Sequence, residues 1–298
     1  MTAAANLPAS AATRLAHALC HRLGSESGIR MLSIKGPVAV AEGIRAPYVP
    51  SDADLLVEPS ELHRMVAELV RLGWRERPGE ALPRLLDEHS VTLIHDSWPC
   101  DLDLHRRFPG FLAEDNHVFE LMWSSRTEID IAGIACPVPS SEFSWAIAVL
   151  NDYRDSWKGQ QTRADELLAF ARERFAGDDF VQLTAALENS GSVQTLEPAM
   201  AALGIHRDGP AADPRALVRW QIRREAGLSP VLPVLVELAE GRLVRAARLS
   251  WTLLTATTRS TGETNLDRRP LAVRAMRTLP RIPRWIRLVR RSIRVGLK

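Results

Sequence analysis

Two short apolar stretches each carry aspartates two positions apart: Asp52-Ala53-Asp54-Leu55-Leu56-Val57 and Cys100-Asp101-Leu102-Asp103-Leu104-His105. In a β-strand, residues i and i+2 point to the same face. Two such strands side by side gather three or four carboxylates on one surface. Carboxylates do not tolerate that crowding without a cation. Magnesium held by a few carboxylates usually means phosphate chemistry. A Lys35-Gly36 turn lies shortly upstream of the first acidic strand.

The chain of 298 residues suffices for one large domain or two ordinary ones. With 46% apolar and 25% charged residues, it has the composition of a soluble globular protein. The net charge of +2 hides an asymmetry: residues 268–298 hold eleven Arg or Lys and no Asp or Glu. The rest holds 27 basic and 36 acidic residues, a net of −9, so an acidic body bears a basic tail. Cys20, Cys100 and Cys136 form no CxxC pair, which argues against zinc or a disulfide framework. We expect them to be inert buried residues and the setting to be cytoplasmic. The N-terminus does not read as a signal peptide. The apolar stretch 228–257 is broken by Glu237, Glu240, Arg242, Arg245 and Arg248, so it is not expected to span a membrane.

Periodicity predicts a helix over 8–23 ended by Gly24, and a short strand over 30–34. A helix over about 37–44 follows, opened by Pro37. The strand 53–57 leads to a helix from Pro59 to Leu72, stopped by Gly73, with Leu62, Met65, Val66, Leu69 and Val70 as its apolar face. Residues 89–94 and 101–106 read as a hairpin, and 127–131 with 134–138 as a smaller one. A helix is expected at 115–123. From Ser140 the pattern turns helical: roughly 141–152, 161–175, 178–189, 193–203 and 214–226.

This order of elements resembles the nucleotidyltransferase fold of the DNA polymerase β superfamily. Within it, the chain resembles a family marked by a Lys-Gly turn, Asp-x-Asp-Leu-Leu-Val and Asp-Leu-His, here Lys35-Gly36, Asp52 to Val57 and Asp103-Leu104-His105. The resemblance covers about residues 28–108 and continues more loosely to about 204. It implies an α+β fold, with a polymerase-β-like mixed sheet and flanking helices followed by a helical C-terminal region. We expect a catalytic domain over 1–139, a helical domain over 140–267 and a basic amphipathic tail over 268–298.

The resemblance further implies that Asp52, Asp54 and Asp103 hold Mg2+ or Mn2+, with room for two ions ~3.5–4 Å apart. NTP is the implied co-substrate, with attack at the α-phosphate and loss of pyrophosphate; Asp103 is expected as general base or ligand. The Gly36 turn would let backbone N–H groups approach phosphate, and Lys35 would neutralise phosphate charge. Pro37 donates no N–H, which leaves one contact to Lys35 or Ser33. Arg45 best matches the arginine expected before the Asp-x-Asp. Asp101 competes with Asp103 for the third-ligand role. His105 shares their face and could hydrogen-bond a metal-bound carboxylate or simply pack the hairpin.

The acceptor could be a small molecule, a peptide or protein, or RNA. The tail, with Arg284, Arg287, Arg291, Arg294 and Lys298 at helical spacing, could meet RNA or an anionic membrane surface, or fold onto the acidic body. A rival reading is a catalytically degenerate nucleotide-binding or scaffold protein.

Overall fold

Residues Asp52–Val57 form β2, and the alternation of acid and apolar side chains divides its two faces. The structure, a computed structural model, describes residues 7–77, 89–155, 163–205, 213–226, 234, 237–238 and 241–255. Before β2 come α1 (Ala9–Ser27), β1 (Met31–Ile34) and the short α2 (Gly36–Ala41). After it, a single 3-10 turn (Pro59–Glu61) opens α3 (Leu62–Arg71). Then come β3 (Arg75–Glu76), β4 (Ser90–Ile94) and β5 (Asp101–His105).

The five strands form one mixed sheet in the order β1-β2-β5-β4-β3. Only the β2–β5 pair is parallel; its register sets Asp52 beside Asp101, Asp54 beside Asp103 and Leu56 beside His105. The opposite face presents Ala53, Leu55, Val57, Leu102 and Leu104 to a core built with Ala12, Ala16 and Cys20 of α1 and with Leu62, Met65 and Leu69 of α3. Full burial of each such leucine contributes ~1.5–3 kcal/mol. The expected hairpin of β4 and β5 is present as an antiparallel pair.

Two local expectations need correction, and one strand had not been expected. Gly24 does not end α1; the helix runs to Ser27 and stops at Gly28, whose φ of 67° suits glycine. Gly24 instead lets the helix approach β1, since a Cβ there would lie 2.4 Å from the Met31 side-chain terminus. Val70 is 49% exposed, outside the buried stripe of α3. The two-residue strand β3 carried no apolar alternation to reveal it, and it exists by pairing with β4.

Next follow α4 (Asp115–Ser124), whose N-cap Glu114 accepts from the His117 backbone N–H, and a separate hairpin of β6 (Thr127–Ile131) and β7 (Ile134–Val138). The hairpin packs on α1 and β1. The helical region supplies α5 (Ser141–Asp155), α6 (Ala164–Arg174), α7 (Asp178–Asn189) and the short α8 (Glu197–Ala202). Trp145 is fully buried in α5 and donates Nε1–H to the Leu167 carbonyl at 2.8 Å.

By its contacts the chain forms two units, and the described part of the first is 7–77, 89–152 and 163–205. The second holds α9 (Pro214–Ala226) and α10 (Leu243–Thr255). Within it Trp220 is buried, and Glu237, 3% exposed, pairs with Arg242 at 2.5 Å. Among the described residues no helix is long and apolar enough to cross a membrane. The basic segment 268–298 lies outside the described residues.

Candidate active site

The parallel register between β2 and β5 builds the site. Residues paired across parallel strands share a face, so Asp54 and Asp103 stand side by side, with His105 one step further along the same face. One ligand atom from each of these three residues falls within 4.8 Å of the others. Asp54 is 4% exposed and His105 1%. An isolated buried carboxylate costs several kcal/mol, so these two acids persist only because cationic groups face them.

Those groups are specific. His105 Nε2 lies 3.0 Å from Asp54 Oδ1 and 3.2 Å from Asp103 Oδ2, bridging the pair. Lys35 Nζ lies 2.5 Å from the same Asp54 Oδ1 and 5.5 Å from the centroid of the Phe108 ring. Thr92 on β4 donates Oγ1–H to Asp103 Oδ1 at 3.4 Å. Phe108 also packs on His105, at 5.8 Å between centroids, and continues through Phe111 to Phe143 on α5. This aromatic ladder walls the inner side of the acidic face.

The charges respond to one another. Burial opposes ionisation of Asp54, but Lys35 and then His105 outweigh it and hold its carboxyl below the usual range. Burial likewise opposes ionisation of Asp103, and His105 overrides it, leaving this acid strongly depressed. Burial pulls His105 down, yet Asp103 and Asp54 win, and its pKa is raised. Asp52 differs: burial, with the Asp54 carboxylate beside it, raises its pKa, and its contact is with the Ser51 hydroxyl at 3.2 Å.

Lys35 makes the turn, in the place expected of Gly36. Its φ of 55° and ψ of −138° lie in backbone space rarely used by residues with a side chain. Gly36 has no positive φ; a Cβ there would meet Pro50 at 3.4 Å, so its smallness admits the loop that precedes β2. Beside this turn opens a cavity of about 70 Å³, lined by Lys35, Gly36, Arg45, Tyr48, Asn151 and Arg163, with Val38 and Ile147 as its apolar floor.

Lys35, Gly36, Arg45, Asp54, Asp103 and His105 thus gather on one side of the sheet, with Asp52 at the strand's start. Ser33 does not join them. It is fully buried on the opposite face, and its hydroxyl bonds His17 Nδ1 at 2.9 Å and His21 Nε2 at 2.8 Å, both from α1. Its register partner is Leu55, whereas Asp54 pairs with Ile34. Asp101, the competitor of Asp103, is paired with Arg77.

Several residues of the site gave no warning in the sequence. Arg163 donates to the Ile44 carbonyl at 3.0 Å, and its backbone N–H to Asp152 Oδ1 at 3.0 Å, which ties the helical region to the Arg45 loop. Arg45 stacks on Tyr48, 3.4 Å from guanidinium carbon to ring centroid. Ser141 donates to Glu42 at 2.5 Å and closes the same loop from the other side. Cys20, Cys100 and Cys136 are all buried, and burial pushes Cys100 and Cys136 up to about 11 and about 12.

No protein-family model and no curated protein matches the chain. Solved structures do. The chain is similar to the solution structure of antibiotic-resistance factor ANT(2'')-Ia, at 15% identity and a TM-score of 0.38, over 65% of this chain and 94% of that one. It is also similar to an antigenic nucleotidyltransferase-like protein from Paracoccidioides brasiliensis, at 14% identity and a TM-score of 0.36, over 64% and 92% of the two chains.

Proposed function

We propose that the first unit is a divalent-cation-dependent nucleotidyltransferase that moves a nucleoside monophosphate from an NTP to an acceptor. The observation that carries this reading is the juxtaposition of Asp54 and Asp103 across a parallel strand pair beside a cavity rimmed by Lys35, Arg45 and Arg163. Carboxylates next to clustered cations suit a metal-bound polyphosphate.

The donor set fits such an ion: two ionised carboxylates converge, and Asp52 stands on the same face at the open end of the strand. Asp52, Asp54 and Asp103 would hold Mg2+ or Mn2+, which supplies Lewis-acid stabilisation of charge on the phosphoryl oxygens. Arg45, fixed by its stack on Tyr48, meets phosphate oxygens at the cavity wall. Lys35, held against Asp54, adds a compact positive charge at the turn. His105 donates Nε2–H to both acids and locks their orientation. The acceptor oxygen attacks the α-phosphorus, the bond to the bridging oxygen breaks, and pyrophosphate leaves with the electron pair. The acceptor proton passes to solvent. Asp103 serves better as ligand and hydrogen-bond acceptor than as general base, because its depressed pKa makes it a weak base.

The test is incubation with α-labelled NTPs, Mg2+ or Mn2+ and candidate small-molecule, peptide and RNA acceptors, beside Asp54→Asn and Asp103→Asn. Cation-dependent label transfer that both variants lose supports the reading; equal transfer by the variants removes it. One observation favours a second reading, a nucleotide-binding protein without turnover. Lys35 already neutralises Asp54, and Pro37 withholds an N–H from the turn. Nucleotide binding without any transfer would select it.

A further inference from the structure

Lys35 is aimed, not merely exposed. It follows the last residue of β1, whose Ile34 is the register partner of Asp54. A side-chain residue in that backbone region costs ~1–3 kcal/mol and persists only where its surroundings over-determine it. Its side chain is 19% exposed, between the Asp54 carboxylate and the Phe108 ring.

The oxygen it meets is already in use. Asp54 Oδ1 accepts from Lys35 Nζ at 2.5 Å and from His105 Nε2 at 3.0 Å, so two donors take up its two lone pairs. The same imidazole nitrogen reaches Asp103 Oδ2, and Thr92 meets Asp103 Oδ1. Two divalent ions a few ångströms apart need carboxylate oxygens on both sides of the pair. Here the inner side carries an ammonium and an imidazole. Asp54 Oδ2, the Asp52 carboxylate and the second lone pairs of the Asp103 oxygens remain for one cation.

We propose that this site takes one divalent cation per nucleotide, and that the Lys35 ammonium permanently holds the position of a second. The inference rests on the nucleotidyltransferase reading and narrows it. An ammonium is a fixed point charge that needs no loading.

Equilibrium dialysis of the full chain with Mn2+ and a non-hydrolysable NTP tests it, with free Mn2+ counted by its electron paramagnetic resonance signal. The wild type is expected to bind one Mn2+ per bound nucleotide. Lys35→Met keeps the aliphatic stem, removes the charge and is expected to bind two, with Mn–Mn dipolar broadening of the bound signal. Lys35→Arg, which keeps the charge, is expected to stay at one and separates charge from loss of folding. Two ions per nucleotide in the wild type, or one in Lys35→Met with nucleotide bound, overturns the inference while nucleotide binding stands. No nucleotide bound by the wild type at any Mn2+ concentration overturns the functional reading and this inference with it.

Discussion

His17 and His21 sit one helical turn apart on α1, and both bond the single hydroxyl of Ser33. Burial lowers them from 6.5 to about 4 and about 3; the nearby Asp54 charge only partly opposes this at His17. Both are therefore neutral in the folded chain, while the unfolded chain binds protons near 6.5. Where the unfolded state binds more protons, stability falls as pH falls. The loss begins near the unfolded value and continues until the folded values are reached. At about pH 5 each imidazole accounts for ~2 kcal/mol, so the pair removes ~4 kcal/mol relative to about pH 7.5. That is a large share of a typical stability of ~5–15 kcal/mol. His105 works the other way, since its raised pKa adds stability that is full below the unfolded value. Asp52, also raised, gains as pH falls through its folded value. Urea unfolding at about pH 7.5, 6.5 and 5 reads the net slope. The double variant His17→Asn, His21→Gln keeps a donor near each ring-nitrogen position without a titratable ring, and most of the slope should vanish. An unchanged slope in the double variant, or no loss in the wild type, refutes the argument.

Gly191→Ala should destabilise by ~1–3 kcal/mol in the same unfolding assay. Its φ is 67°, and a Cβ would lie 2.9 Å from the Ala113 backbone nitrogen, which cannot step aside. Trp145→Phe should cost ~1–3 kcal/mol, because it removes a buried hydrogen bond to the Leu167 carbonyl and leaves a gap beside α5. Arg45→Ala should weaken nucleotide binding by roughly tenfold or more in a fluorescence titration, with the circular dichroism spectrum unchanged, because it deletes one charge-assisted phosphate contact.

The sequence made the acidic strands legible because period-two alternation is local information. Asp52-x-Asp54 and Asp101-x-Asp103 each showed a face, and both hairpins appeared where alternation and turn residues agreed. The parallel register that brings Asp54 to Asp103 is a long-range pairing, and no short window contains it. Asp101 and Asp103 were equivalent by spacing; Arg77, on the far edge of the sheet, separates them. Ser33 was misplaced because it lies two positions before Lys35, where strand alternation would put both on one face; the turned backbone at Lys35 breaks that alternation. The strain at Lys35 was unreadable, since a Lys-Gly pair normally puts the unusual backbone on glycine. Arg163 and Tyr48 had no motif around them, and only the folded chain brings them to the cavity.

The most direct measurement is the affinity for a non-hydrolysable NTP with Mg2+ and then with EDTA, in the wild type and in an Asp54→Asn, Asp103→Asn double variant. If the two acids hold the cation that seats the triphosphate, wild-type binding weakens at least tenfold on chelation and the double variant shows no cation dependence. Equal affinity under all four conditions would contradict the account.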